Sequence, residues 1–330
     1  VDPRTGVYVT YFIHEVTQYD VLRDGQGAVV KNGDGFPCVR ALAFRPRPLP
    51  LFLEGPVHVL RMTGSGGLAR GLDRSIRKTD LYDPALGMYK ICGNIMNETG
   101  EIGRQNIFPR GWLENESVFL HMEYKYFLEL LRCGAYEEFF RCMKTALIPF
   151  LDPEVYGRSI LENSSFLASS VYPDKELRGN GFVSRLTGAS AEFLTMWRMM
   201  TVGQRPFFLN EEGKLNMKLK PVLPGWLFLR ETKTFRIFSA GRPASVTFPA
   251  GAFAFRLFGK TLAVYYDGPR KDTFGPDGAE IRRMELYRSG SVIKLDGCVV
   301  PAPYAGQIRA GEFDRVDVYL ARSEERRVGK

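Results

Sequence analysis

The apolar residues change their spacing once along this chain, near Gly203, and that change limits the folds open to it. Before it, six segments carry apolar side chains three and four residues apart between Gly, Pro or Asp: 51–62, 68–78, 113–132, 136–150, 160–168 and 191–200. A stripe with that period is one face of an α-helix. After it come short, turn-bounded and often alternating runs at 205–209, 214–219, 235–239, 252–258, 261–266, 281–288, 292–295 and 315–320. Such runs are expected as strands of a small antiparallel β-sandwich. The spacing thus predicts a mainly helical domain over 1–203 and a β domain over 204–322, with 323–330 an unrelated or disordered charged tail. Ahead of the helices, residues 7–22 are rich in Val, Tyr, Thr and Phe and lead into a glycine-rich turn at 23–35, which predicts an edge hairpin.

A polar, glycine-rich segment at 178–190 is wedged between two apolar runs, and a loop of that kind usually lines a site. Its end, Arg185-Leu186-Thr187-Gly188-Ala189-Ser190, stands directly before a helical pattern. The first turn of a helix offers unpaired N–H groups and the positive end of the dipole, and Gly188 lets an anion approach the backbone. The competing reading makes Thr187 or Ser190 a helix N-cap and nothing more. Arg158, Arg178 and Arg185 flank the loop, either completing an anion seat or bracing it. A second constellation lies at 112–121. Glu114 and His121 are seven positions apart, so on one helix they would share a face roughly 10 Å apart along the axis. His121 is flanked by Phe119, Leu120 and Met122, and a lone histidine in such company is more often a core residue than a ligand contact.

Composition excludes several classes. The 45 basic residues exceed the 37 acidic ones by eight but are spread along the chain, which favours anionic small ligands over nucleic acid. The five cysteines include no C-x-x-C pair, which points to a reducing, cytoplasmic compartment and to no metal. No apolar run suggests a membrane span. Residue 1 is Val, and residues 1–22 read as the interior of a folded protein, so an upstream part is expected to be missing.

The run E-N-x-x-V-F-x-H at Glu114 to His121, with Thr187-Gly188 opening a helix further on, resembles the inverting glycoside phosphorylases of glycoside hydrolase family 94. The wording at 157–170, 181–193 and 219–228 resembles more closely the β-1,3-oligoglucan phosphorylases of family 149. The resemblance implies part of an (α/α)6 six-hairpin barrel followed by a β-sandwich, and a reaction in which phosphate attacks the anomeric carbon while an aspartic acid protonates the leaving oxygen. Carried over by motif, His121, Thr187, Gly188, Ala189 and Ser190 would hold phosphate, and Glu114, with Asn115 and Arg185, would bind substrate. Inorganic phosphate is then a cosubstrate and no cofactor is implied; the partners are an oligosaccharide and phosphate, with a homodimer suggested by resemblance alone. Two departures stand out. Ala189 occupies the place where the family usually has Thr, and none of Trp112, Trp197 or Trp226 sits in the family's catalytic-acid motif, so no catalytic residue is assigned and the acid is expected upstream. The alternatives are a hydrolase or glycosyltransferase on the same scaffold, or a non-catalytic carbohydrate-binding or dimerisation region with an exposed aromatic row at Tyr265, Tyr266, Phe274 and Tyr287.

Overall fold

Residues 12–48 form a long ribbon of two ten-residue strands: β1 (Phe12–Val21) pairs antiparallel with β2 (Val39–Pro48), from Phe12 opposite Pro48 to Val21 opposite Val39. A register irregularity around Thr17 increases the local twist. The computed structural model describes residues 1–239 and 242–322; the expected tail at 323–330 lies outside them. The chain divides into two compact units, Val1–Phe193 and Leu194–Lys330.

In the first unit, α1 (Glu54–Thr63) and α2 (Gly66–Ile76) follow the ribbon, with Ser65 capping α2 by accepting from the Leu68 N–H at 3.3 Å. The short pair β3 (Tyr82–Asp83) and β4 (Met88–Tyr89) leads to β5 (Val118–Phe119), α3 (Leu120–Arg132), α4 (Tyr136–Ala146), the single turn α5 (Pro153–Tyr156), β6 (Ser164–Leu167), β7 (Gly181–Ser184) and α6 (Gly188–Thr201). Nine residues of α3 are buried, on every side of the helix, which makes it the centre of this unit. Its buried Phe127 packs against Tyr124 and Tyr126 of the same helix, and Tyr126 and Phe127 pack against Tyr89, with ring centres 5.0 and 5.8 Å away. Polar groups in this core are mostly paired: Asp73 accepts from the Tyr89 hydroxyl at 2.5 Å, the Tyr126 hydroxyl at 3.1 Å and Arg141 at 2.7 Å.

Glu123 is one of the exceptions. It is fully buried; one oxygen accepts from the Tyr89 N–H at 2.8 Å and the other has no partner. Burial, with the Asp83 charge adding to it and the Tyr89 N–H opposing, pushes its carboxyl well above the ordinary 4.5. The unfolded chain therefore releases this proton at a lower pH than the folded one, and stability is lost as pH rises above about 4.5. Glu123→Gln is expected to be more stable than wild type at pH 7 by roughly 1–3 kcal/mol and equal to it near pH 4. Urea denaturation at the two pH values checks this.

Two expected helices are corrected. Residues 113–119 are not helical: Leu113 and Glu116 have φ of 47° and 56°, and α3 starts only at Leu120. The run at 160–168 contributes β6, all four residues buried. A continuous apolar run fits a strand flanked on both sides as well as it fits a helix, and β6 is the middle strand of the sheet β5-β6-β7.

The second unit holds β8 (Phe207–Leu209), β9 (Leu215–Lys218), β10 (Lys233–Ser239), β11 (Arg242–Phe248), β12 (Ala252–Leu257), β13 (Thr261–Tyr266), β14 (Ala279–Arg288), β15 (Ser291–Asp296), β16 (Val299–Val300), α7 (Tyr304–Ala310) and β17 (Arg315–Arg322). The main sheet runs β12-β13-β17-β14-β15, and β17 lies parallel to β13. It is a mixed sheet, because the chain returns to β13 through a crossover that includes α7, so the expected antiparallel sandwich does not hold. Tyr265 is fully buried, stacked on Phe255 with 5.7 Å between centroids, which removes it from any exposed aromatic row.

The (α/α)6 barrel is overturned as a whole. Among the described residues there are seven α-helices, the longest of 14 residues, set between six small sheets. Helices this short and this interleaved with strands do not build the continuous double ring of such a barrel. None of them is long and apolar enough to cross a membrane.

Candidate functional site

The sheet β5-β6-β7 brings the two sequence motifs together. Val118 pairs with Leu167 and Phe119 with Phe166, and Phe166 in turn pairs with Phe182. Trp112 packs against this sheet, 4.4 Å from the Phe182 ring centre and 5.0 Å from that of Phe166. Because α3 begins where β5 ends, His121 sits in its first turn; because α6 follows β7 after a short loop, its N-terminus emerges from the same sheet. The two helix starts meet at Gly188. A Cβ added there would lie 2.1 Å from both Cε1 and Nε2 of His121, so the imidazole rests directly on the backbone of the first residue of α6.

The capping reading holds for Thr187, whose Oγ1 accepts from the Ala189 N–H at 3.1 Å and whose carbonyl accepts from the Ser190 N–H at 3.1 Å. The Ser190 hydroxyl receives the Asn163 amide at 3.0 Å. Ala189 is fully buried and offers no side-chain function. That leaves the Gly188 N–H as the first-turn donor beside His121 with no partner among the described residues. Lys125 stands one turn further along α3, and the Glu192 carboxylate of α6 lies 3.8 Å from His121 Nε2. Burial, and then the Lys125 charge, hold the imidazole below its ordinary 6.5 while Glu192 opposes them. His121 is therefore a neutral hydrogen-bond donor near pH 7.

The arginines divide. Arg185 Nε donates to Ser165 Oγ at 3.1 Å, on β6 beside the seat. Arg158 and Arg178 brace loops, donating to the carbonyls of Gly181 at 2.6 Å and Tyr172 at 2.8 Å. Glu114 and Asn115 are not on the helix that carries His121. Glu114 Oε1 is 2.7 Å from Arg104 while its Oε2 is buried without a partner, and Asn115 is fully buried with its Nδ2 donating to the Phe108 carbonyl at 2.7 Å. No hydrogen bond or ion pair joins either residue to His121 among the described residues. The shared helical face expected for Glu114 and His121 does not exist.

Sequence reasoning missed Glu116, Lys125 and Glu192. Lys125 follows His121 by four positions and Glu192 follows Gly188 by four, the spacing that stacks residues on a helix face. That signal was available only once both helices were placed. Strained backbone marks the same two segments, Val183 with φ of 57° before α6 and the Leu113 and Glu116 pair before α3. No protein-family model matches the chain, and no curated protein is significantly similar to it.

Proposed function

We propose that the His121 and Gly188 seat binds inorganic phosphate, and that the chain is part of an inverting glycoside phosphorylase acting on β-linked gluco-oligosaccharides. The observation that carries the reading is the direct contact between two motifs 67 positions apart in sequence, a neutral imidazole lying on a helix N-terminus whose first N–H is free. An N–H of the backbone, an N–H of the ring and the positive end of a helix dipole converge there, with Lys125 adding charge and the Ser190 hydroxyl close by, held by Asn163. Such a seat would orient phosphate as the nucleophile in place of the base and water of an inverting hydrolase. Five free cysteines support a reducing, cytoplasmic setting.

With laminari- and cello-oligosaccharides, the enzyme that carries this chain is expected to form glucose 1-phosphate only when inorganic phosphate is present. His121→Ala should lower that rate about 10²–10³-fold, the usual cost of one donor to a developing charge. Free glucose formed at the same rate without phosphate would sink the phosphorylase reading in favour of a hydrolase.

A further inference from the structure

The second unit holds a cleft of about 400 Å3 between the β10–β11 hairpin and the β12–β13 part of the main sheet, and it shares no residue with the His121 seat. It is open because of what the two surfaces present. In the hairpin, Phe235 stands opposite Val246 and Ile237 opposite Ala244, which gathers the apolar side chains on one face. The facing strand offers small ones: Ala252 lies opposite Tyr266, Ala254 opposite Val264 and Arg256 opposite Leu262. Phe248, Ala252 and Val264 close one end as a buried cluster. Beyond that end Ala254 is too small to fill the space, and Phe235 is left 44% exposed. From Ala252 to Arg256 the strand rises about 13 Å, so Arg256 stands at the opposite end of the cleft.

We infer that this cleft binds one small amphipathic carboxylate, its apolar tail lying between Phe235 and Ala254 and its carboxylate on the Arg256 guanidinium. The volume falls within the roughly 300–1,000 Å3 usual for small-ligand pockets, and a mostly aliphatic and aromatic lining with one convergent polar group is the usual make-up of such a pocket. Arg256 is half-buried; its Nη1 donates to the Lys260 carbonyl at 2.9 Å, and no acidic residue pairs with it among the described residues. A guanidinium presents a planar fork of N–H donors and no acceptor, so the donors left over suit a carboxylate. A neutral tail without a head group would leave those donors unused, and a cation would meet like charge. Arg236 also borders the cleft, but the alternation of β10 turns its side chain to the face that carries the bonded Thr234 and Thr247 hydroxyls. The anion is therefore assigned to Arg256 alone.

Isothermal titration calorimetry with decanoate, decanol and decyltrimethylammonium tests this, because the three share a tail and differ in the charge of the head. Wild type should bind one decanoate per chain, decanol at least about tenfold more weakly, and the cation not at all. In Arg256→Gln, decanoate should fall to the level of decanol while decanol itself binds as it does to wild type. The guanidinium is in no ion pair, so this variant should melt with wild type. Ala254→Phe fills the space beside Phe235 and should abolish the binding of both ligands. Equal affinity of wild type for decanoate and decanol overturns the role of Arg256. No saturable binding of decanoate, or binding that neither substitution changes, overturns the site.

Discussion

Gly188→Ala is expected to abolish the response of His121 to phosphate and to lower phosphate-dependent sugar phosphate release by more than about 10²-fold, while the protein stays folded. The added methyl would sit 2.1 Å from two atoms of the imidazole, far inside contact distance. Something must move, and the ring is the part free to do so, because the His121 side chain is 38% exposed whereas the α6 backbone continues into buried Ala189. The φ of Gly188 is not in the left-handed region, so the helix itself accepts alanine. The substitution therefore sets function against stability: the melting temperature should change by only a few degrees while the seat is lost. Gly181→Ala is the useful contrast. Its methyl would lie 2.3 Å from Ser164 Oγ and from the Tyr156 ring, both buried, so it should cost stability first. Circular dichroism melting of the two variants, with the His121 resonance as the functional readout, separates the effects. A Gly188→Ala protein that still responds to phosphate as wild type does would end the proposal that the imidazole and the α6 backbone act together.

The parts of this fold that could be read from the sequence are those fixed by local pattern. The strands at 252–258 and 261–266 alternate and turn tightly, and β12 and β13 appear there as a hairpin. Residues 51–62 and 68–78 carry the helical stripe, and α1 and α2 follow it. What failed depends on residues distant in sequence. The β6 segment looks helical until β5 and β7 flank it, the parallel pairing of β13 with β17 joins strands some fifty residues apart, and the N-terminus of α3 is displaced by a strained turn that no capping signal announces. The site divides in the same way. His121 and the Thr187 to Ser190 segment were each legible as candidates, one by residue type and the other by its place before a helix. Their contact was not, since it is made by the sheet that sequence periodicity missed. Glu114 was misplaced for the same reason, being assigned to a helix that starts six residues later.

Glu116→Ala is expected to destabilise the first unit by about 3–5 kcal/mol, more than any other single substitution considered for it. Glu116 is fully buried and its Oε1 lies 2.8 Å from Lys90 Nζ, itself 4% exposed, while Arg110 holds the carboxylate through Nε and, at 3.1 Å, through Nη2. Removing the carboxylate leaves the Lys90 ammonium in the core with no counter-charge. Most of the cost comes from that stranded charge and little from the lost attraction, so Lys90→Met combined with Glu116→Leu should recover much of the loss. Arg110 contributes less, because its exposed side chain can turn to solvent. Burial pushes the Glu116 carboxyl up, but the hydrogen bonds from Arg110 and Lys90 outweigh it and hold the group below the ordinary 4.5. A depressed folded value gives stability that is present above the ordinary carboxylate range and lost as pH falls below it. The difference between wild type and Glu116→Gln in urea denaturation should therefore be largest near pH 7 and shrink below about pH 4. The position also bears on the seat. Glu116 stands two residues before β5, whose end starts α3, so a shift of the turn it anchors is expected to shift the start of the helix that carries His121. A Glu116→Ala protein should accordingly lose phosphate response in proportion to its unfolded fraction and beyond it. If the loss tracks the unfolded fraction alone, the turn at 112–117 anchors the fold without setting the position of His121.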